Sequence, residues 1–246
     1  MMAALAGPTS AQPAEDPPAL ALPPAAAQPI ATPPGVCAPE KLFRTVVRNI
    51  SPGLPASASA AQPRRLWRQG AHFLRSEEDI DPVRGDQRVV VVAEPDVWVV
   101  NLADRTARHS IDPGPELVVR APILPLGSPP ELMKLEFGCE REFLAEFAPV
   151  PEREVPWGAA RAALHRVTVG EHSVALLMDA KRDSPLLVSY LRQGRPIVVY
   201  RYDEYRHGLP ARPQLFAPGR NIRIIEAPRA TSPTPGEFGN DVLEPE

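Results

Sequence analysis

Little of this 246-residue chain is cysteine or aromatic, and it has no surplus of charge; each shortage narrows what it does. Two cysteines cannot staple a small scaffold, and neither has a second cysteine or a histidine at zinc-ligand spacing. A formal net charge of −3 gives no electrostatic footprint for nucleic acid, and Arg64, Arg65 and Arg68 around Trp67 do not make one alone. No run of eighteen apolar residues occurs, so no membrane-spanning helix is expected. The chain also lacks G-x-S-x-G, H-E-x-x-H, a P-loop and G-x-G-x-x-G. The expectation is a non-enzymatic protein with no cofactor and no metal. The competing enzymatic reading is a hydrolase on an all-β shell using His165, His172 or Asp179, with His165 and His172 facing one another across a hairpin as a possible metal pair.

Proline is abundant, at 33 residues. It concentrates in residues 1–38 and 228–246, which are rich in Ala, Pro and Ser and poor in large apolar side chains. Such segments cannot bury enough surface to offset chain entropy, so both are expected to be disordered, around a single domain over 39–227. The start, "MMAALAGPTSAQPAEDPP", has a short apolar patch before the small residues Thr9-Ser10-Ala11. It reads either as the remnant of a signal peptide preceding an exported, periplasmic or otherwise extracytoplasmic domain, or as a plain leader on a cytoplasmic protein if Met1 is the true start. Cys37 and Cys139 follow the same fork. In an exported protein they are disulfide candidates; in a cytoplasmic one they are two unrelated thiols.

Between the tails, strand signals dominate. Apolar residues at helical spacing in "PEKLFRTVVRNIS" suggest a first helix. "RRLWRQGAHFLRSEE" then places Trp67, Ala71 and Phe73 on one face, with a bulge at Gly70. Strands follow over 87–93, 96–102 and around Ala107 to Ile111, with another in "DPGPELVVRAPIL". "SPPELMKLEFG" reads as a capped helix with Ser128 at its N-cap and Gly138 as its stop. A second short helix carries Cys139, Phe143 and Phe147 on one stripe. Five further strands run over 161–169, 172–179, 185–191, 196–205 and 221–226, the first four joined by hairpin-length turns that demand antiparallel neighbours.

Several strands are apolar on both sides. In "VVVVAEPDVWVV", residues 89–100, the alternation of a half-wetted strand is missing altogether. Antiparallel sheets normally solvate one face. The second face here therefore needs a cover: another sheet, the sheet's own curvature, or a ligand. The fold expected is mainly β with short helices (α+β), a strongly curved antiparallel sheet forming a half-open barrel around short helices inserted mid-chain. Trp67, Trp98, Val100, Leu176, Val188, Tyr190, Tyr200 and Tyr202 are the candidate lining of an apolar hollow.

"SVALLMDAKRDSPLLVSYLRQGRPIVVYRYDEYRHGLPARPQLFAPGRNIRIIEA" and "RRLWRQGAHFLRSEE" resemble, in their order of strands and turns, the LolA-like superfamily of periplasmic lipoprotein carriers. The resemblance covers roughly residues 64–227 and is one of pattern. It implies a binding module of the cell envelope whose partner is a lipid or a lipidated protein. The alternative is a structural envelope protein whose core is filled by its own side chains.

Overall fold

The computed structural model describes residues 36–112, 114 and 117–226. The signal-like start, most of the leader and the tail from 227 lie outside the described residues. The described strands are β1 (Leu42–Asn49), β2 (Arg64–Gln69), β3 (Phe73–Glu78), β4 (Arg88–Ala93), β5 (Asp96–Asn101) and β6 (Thr106–Ile111). After a long insertion come β7 (Arg153–Trp157), β8 (Ala160–Val169), β9 (His172–Asp179), β10 (Ser184–Arg192), β11 (Arg195–Leu209) and β12 (Arg223–Glu226). They form one sheet in the order β12-β6-β5-β4-β3-β2-β1-β11-β10-β9-β8-β7. Every neighbouring pair is antiparallel except β12 with β6, which is parallel. The closing pair β1–β11 joins residues some 160 positions apart, for example Arg44 and Arg206, and brings the two hairpin series into a single layer.

The expected half-barrel around several short helices is not what forms. The sheet is open and uncurled, and its edge strands β12 and β7 are not bonded to each other. Among the described residues there is one α-helix, α1 (Glu140–Phe147), with 3-10 turns at Ser59–Ala61, Leu132–Lys134 and Pro213–Phe216. Longer-range pairing overrode local helix signals in two places. At Leu42–Asn49, alternation won: Phe43, Thr45 and Val47 are buried while Arg44, Val46 and Arg48 are only half-buried. In "SPPELMKLEFG" the helix stops after one 3-10 turn, because Glu136 bridges to Pro122 and the Phe137 N–H donates to Ala121 O at 2.9 Å. Ser128 does not cap; its hydroxyl donates to Pro125 O. Gly138 does end the segment, at φ +88, and a Cβ there would lie 2.9 Å from the Phe43 ring. The strand expected in "DPGPELVVRAPIL" contributes only the isolated bridge at Pro122.

The insertion, residues 117–148, packs on what we term the inner face. Val119, Ile123, Leu124, Leu132, Leu135, Phe137 and Phe143 join Val47, Leu66, Leu74, Val92, Leu176, Val188 and Tyr190 in one buried cluster that reaches across both halves of the sheet. The outer face has a second, smaller core. There Val89, Val91, Trp98, Val100 and Ala107 pack together, with Ile222 and Ile224 against them. The cover missing from the Val-rich sequence is thus the chain between β11 and β12. Phe216 packs against Phe73, the rings tilted with centroids 5.2 Å apart, and Arg75 Nη1 donates to Leu215 O at 3.1 Å. Each buried Val or Leu is worth roughly 1.5–3 kcal/mol, enough to hold this return segment across the strands.

Candidate functional site

The eight candidate lining residues divide between the two faces. Leu176, Val188, Tyr190 and Tyr202 belong to the inner core, with Tyr200 packed at its margin. Trp98 and Val100 belong to the outer core. Trp67 is on the outer face as well, 5.6 Å beneath the guanidinium of Arg44. Along β2 the buried residues are Leu66 and Arg68, not Trp67. Trp67 and Phe73 do share one face, as expected, but the enclosed face of β2 is the opposite one. Gly70 is at a hairpin turn with φ +59, not at a bulge within a strand.

Beyond the outer core, the same face of β8 to β11 presents a different surface. Register aligns Leu164 with Leu177, Leu177 with Leu187, Leu187 with Arg201 and Arg201 with Arg48. One row across four strand spacings thus runs from three leucines into two guanidiniums. Beside it lie Ala175, Ser189 and Val199, and the Ile50 N–H donates to Val199 O at 2.8 Å. Leu177, Leu187, Leu191 and Val199 are half-buried, while Ile50 and Ile197 are 42% and 46% exposed. None of these residues belongs to either core cluster. Arg48 Nε and Arg201 Nε share the single carboxylate of Asp203, at 3.4 and 2.7 Å. That leaves the polar end of the row with an excess of positive charge.

A polar joint lies on the inner side. Arg68, 1% exposed, pairs through Nη2 with Glu136 Oε2 at 2.9 Å, and Arg120 pairs with the other Glu136 oxygen. Arg68 also donates to the carbonyls of Cys37, Val119 and Phe137, and its Nη1 lies 3.6 Å from Cys139 Sγ. Desolvation lowers its pKa, opposed by Glu136. Glu140, fully buried, accepts from Tyr202 Oη at 2.7 Å, Tyr205 Oη at 3.0 Å and the Gly138 N–H at 3.0 Å. Burial pushes its carboxyl up to about 7 against those three hydrogen bonds, and burial together with the Glu140 charge raises both tyrosines. Cys37 and Cys139 are joined in a disulfide across 102 residues, which resolves the fork left by the sequence in favour of pairing. The joint ties the start of the domain, the insertion and β11 to one another. The alternation of "RRLWRQG" did not single out Arg68 as an enclosed residue, because a charged side chain gives no apolar signal.

The remaining sequence candidates do not assemble. His165 pairs across the ladder with Leu176 and its Nδ1 donates to Ala148 O; His172 pairs with Val169 and bonds Tyr190 Oη. Among the described residues no group of His, Cys, Asp or Glu is arranged to hold a metal. The acidic loop after β3 closes on itself, with Asp81 accepting from the Val83 and Arg84 N–H groups and from the Arg84 side chain, which lower its pKa. A shallow polar hollow is lined there by Glu78, Asp79, Asp81, Arg84, Asp86 and Arg88.

No family model and no curated protein matches the chain. Solved structures do resemble it. An uncharacterised conserved protein from Thermus thermophilus is 13% identical over 76% of this chain and 91% of that one, with a TM-score of 0.42. The Pseudomonas aeruginosa MucA/MucB complex contains a chain 18% identical over 80% of this one at a TM-score of 0.38, of which this chain spans 62%. A DUF1329 family protein from Desulfovibrio piger is 10% identical over 73% of this chain and 90% of that one, at 0.25. All three scores lie under 0.5, and these likenesses assign the chain neither to a family nor to a function.

Proposed function

We propose that the chain is an extracytoplasmic, non-enzymatic binding module that receives an acyl chain or a lipidated partner on the outer face of β8 to β11. The observation that carries this reading is the row Leu177–Leu187–Arg201–Arg48, whose two leucines are half-buried beside the buried Leu164. Apolar side chains outside any core cluster leave surface that gains by being covered. The row extends roughly 14 Å from β9 to β1 at a strand spacing of about 4.8 Å, which suits an extended acyl chain. Two guanidiniums sharing one carboxylate at its end suit an anionic headgroup. The disulfide supports an oxidising compartment.

Titration with a fluorescent fatty acid tests it. Saturable uptake is expected, lost in the Leu177→Glu, Leu187→Glu double variant and weakened in Arg201→Ala. Uptake that survives the double variant would refute the site.

A second reading has its own support. Leu176, Val188, Tyr190 and Tyr202 are buried by the chain's own insertion, as a purely structural envelope protein with a self-filled core requires. It predicts no probe uptake at any concentration.

A further inference from the structure

We propose that the Cys37–Cys139 disulfide is a thiol–disulfide exchange site, opened by a dithiol reductant that attacks Cys37 and expels Cys139 beside Arg68, and that opening releases residues 36–38 from the insertion. The two sulfurs are unequal. Cys139 is 1% exposed, whereas Cys37 is half-buried near the start of the described chain. An incoming thiolate therefore reaches Cys37 first.

In the first step the thiolate forms a bond to Cys37 Sγ as the Cys37–Cys139 bond breaks, and the electron pair of that bond leaves on Cys139 as a thiolate. In the second step the reductant's other thiol, as thiolate, attacks its partner sulfur in the mixed disulfide and frees Cys37. The protein disulfide is reduced to two thiols, and the dithiol is oxidised to its own disulfide. Exchange is faster when the departing thiolate is stabilised. Arg68 Nη1, 3.6 Å from Cys139 Sγ, is placed to do this, and Arg68 Nε has no partner among the described residues. Cys139 is also the N-cap residue of α1, where the helix dipole favours an anion.

The charges around the departing sulfur are Arg68, Arg120, Glu136 and Glu140. Glu136 is held by both arginines, and Glu140 by two tyrosine hydroxyls. Two cations against one committed carboxylate leave room for a single further anion, which Glu140 and a Cys139 thiolate would share. Once the bond opens, the hydrogen bond from Arg68 to its carbonyl is what holds Cys37 among the described residues, while Pro39 O remains held by the Gly70 N–H at 2.8 Å.

The test uses the full chain under native conditions. After brief exposure to glutathione and acid quench, peptide mapping is expected to find the adduct on Cys37; an adduct on Cys139 overturns the proposal. Reduction by dithiothreitol should outpace global unfolding, and a rate equal to that of unfolding overturns it. Arg68→Met should slow reduction about tenfold, and an unchanged or faster rate in a folded variant counts against the role of Arg68. Should that variant not fold, Glu140→Gln keeps Arg68 and removes the competing carboxylate. Its reduction should be several-fold faster, and an unchanged or slower rate overturns the assignment. Limited proteolysis after reduction should cut newly at residues 36–38 while hydrogen exchange in β1 is unchanged; protection lost throughout β1 would mean unfolding rather than release.

Discussion

Over β4 to β6 the outer face carries Val89, Val91, Trp98 and Val100 beneath Ile222 and Ile224; over β9 and β10 it carries the half-buried Leu177 and Leu187, which belong to neither core cluster. The two regions look alike in sequence, since both abandon the alternation of a half-wetted strand. Their physical situations differ. The first is completed within the chain, by a crossing segment that starts at β11 and ends as the parallel edge strand β12. The second meets a cluster of arginines and acids at β11 and β1 instead. A doubly apolar strand therefore signals that a cover is needed, and it does not say whether the cover is the chain itself.

Substitutions can break or sharpen this contrast. The largest effect is expected from Trp98→Ala in the completed half, about 3–5 kcal/mol by urea unfolding. Leu177→Ala should cost about 1 kcal/mol or less, since the cavity it leaves is open to solvent. Equal losses would erase the distinction between the halves. The inner face serves both halves, and its joint should make stability pH-dependent. Glu140 titrates near 7 in the fold, above the ordinary 4.5 of an unfolded glutamate. Its contribution is thus fully present below about pH 4.5 and is lost as pH rises through 7. At 1.36 kcal/mol per pKa unit, that amounts to about 3 kcal/mol between these limits. Urea unfolding from pH 5 to 8 should show the decline, and Glu140→Gln should flatten it. Glu94, also raised to about 7 by burial and by Asp112 and Asp96, acts in the same direction from a more exposed position.

Lifting the intramolecular cover is expected to matter less. Ile222→Asp with Ile224→Asp should cost about 2 kcal/mol, because both residues are only half-buried, and should expose the Val-rich strands to a dye such as ANS. Unchanged dye binding would mean that the return segment is not the cover. The smallest stability change belongs to Leu187→Lys, within about 0.5 kcal/mol, as at surface positions generally. A loss of several kcal/mol there would show that this half is also a closed core.

Much of the sheet was legible. The strands at 172–179 and 96–101 have nearly the bounds expected, because alternation and short turns are local properties. The α1 stripe of Phe143 with Phe147 was legible for the same reason, its rings lying 5.0 Å apart. The candidate site was read less well. Trp67 looked like the inward residue of its strand, yet Arg68 is the one enclosed, since the carbonyls of Cys37, Val119 and Phe137 and the Glu136 carboxylate converge on it from distant parts of the chain. A buried arginine gives no apolar signal. The half-barrel expected from doubly apolar strands was wrong because a return segment of the same chain, rather than curvature, supplies the cover over β4 to β6.

The amino-acid order by itself determined that this protein is built of hairpins and that its middle strands need apolar neighbours on two sides. These follow from side-chain period and turn chemistry, which act over a few residues. Only the tertiary structure decided which strands adjoin, which face the insertion takes, that Cys37 meets Cys139, and where three leucines fall into line with two arginines. Those outcomes depend on register between segments some 160 residues apart, and no local preference specifies such pairings.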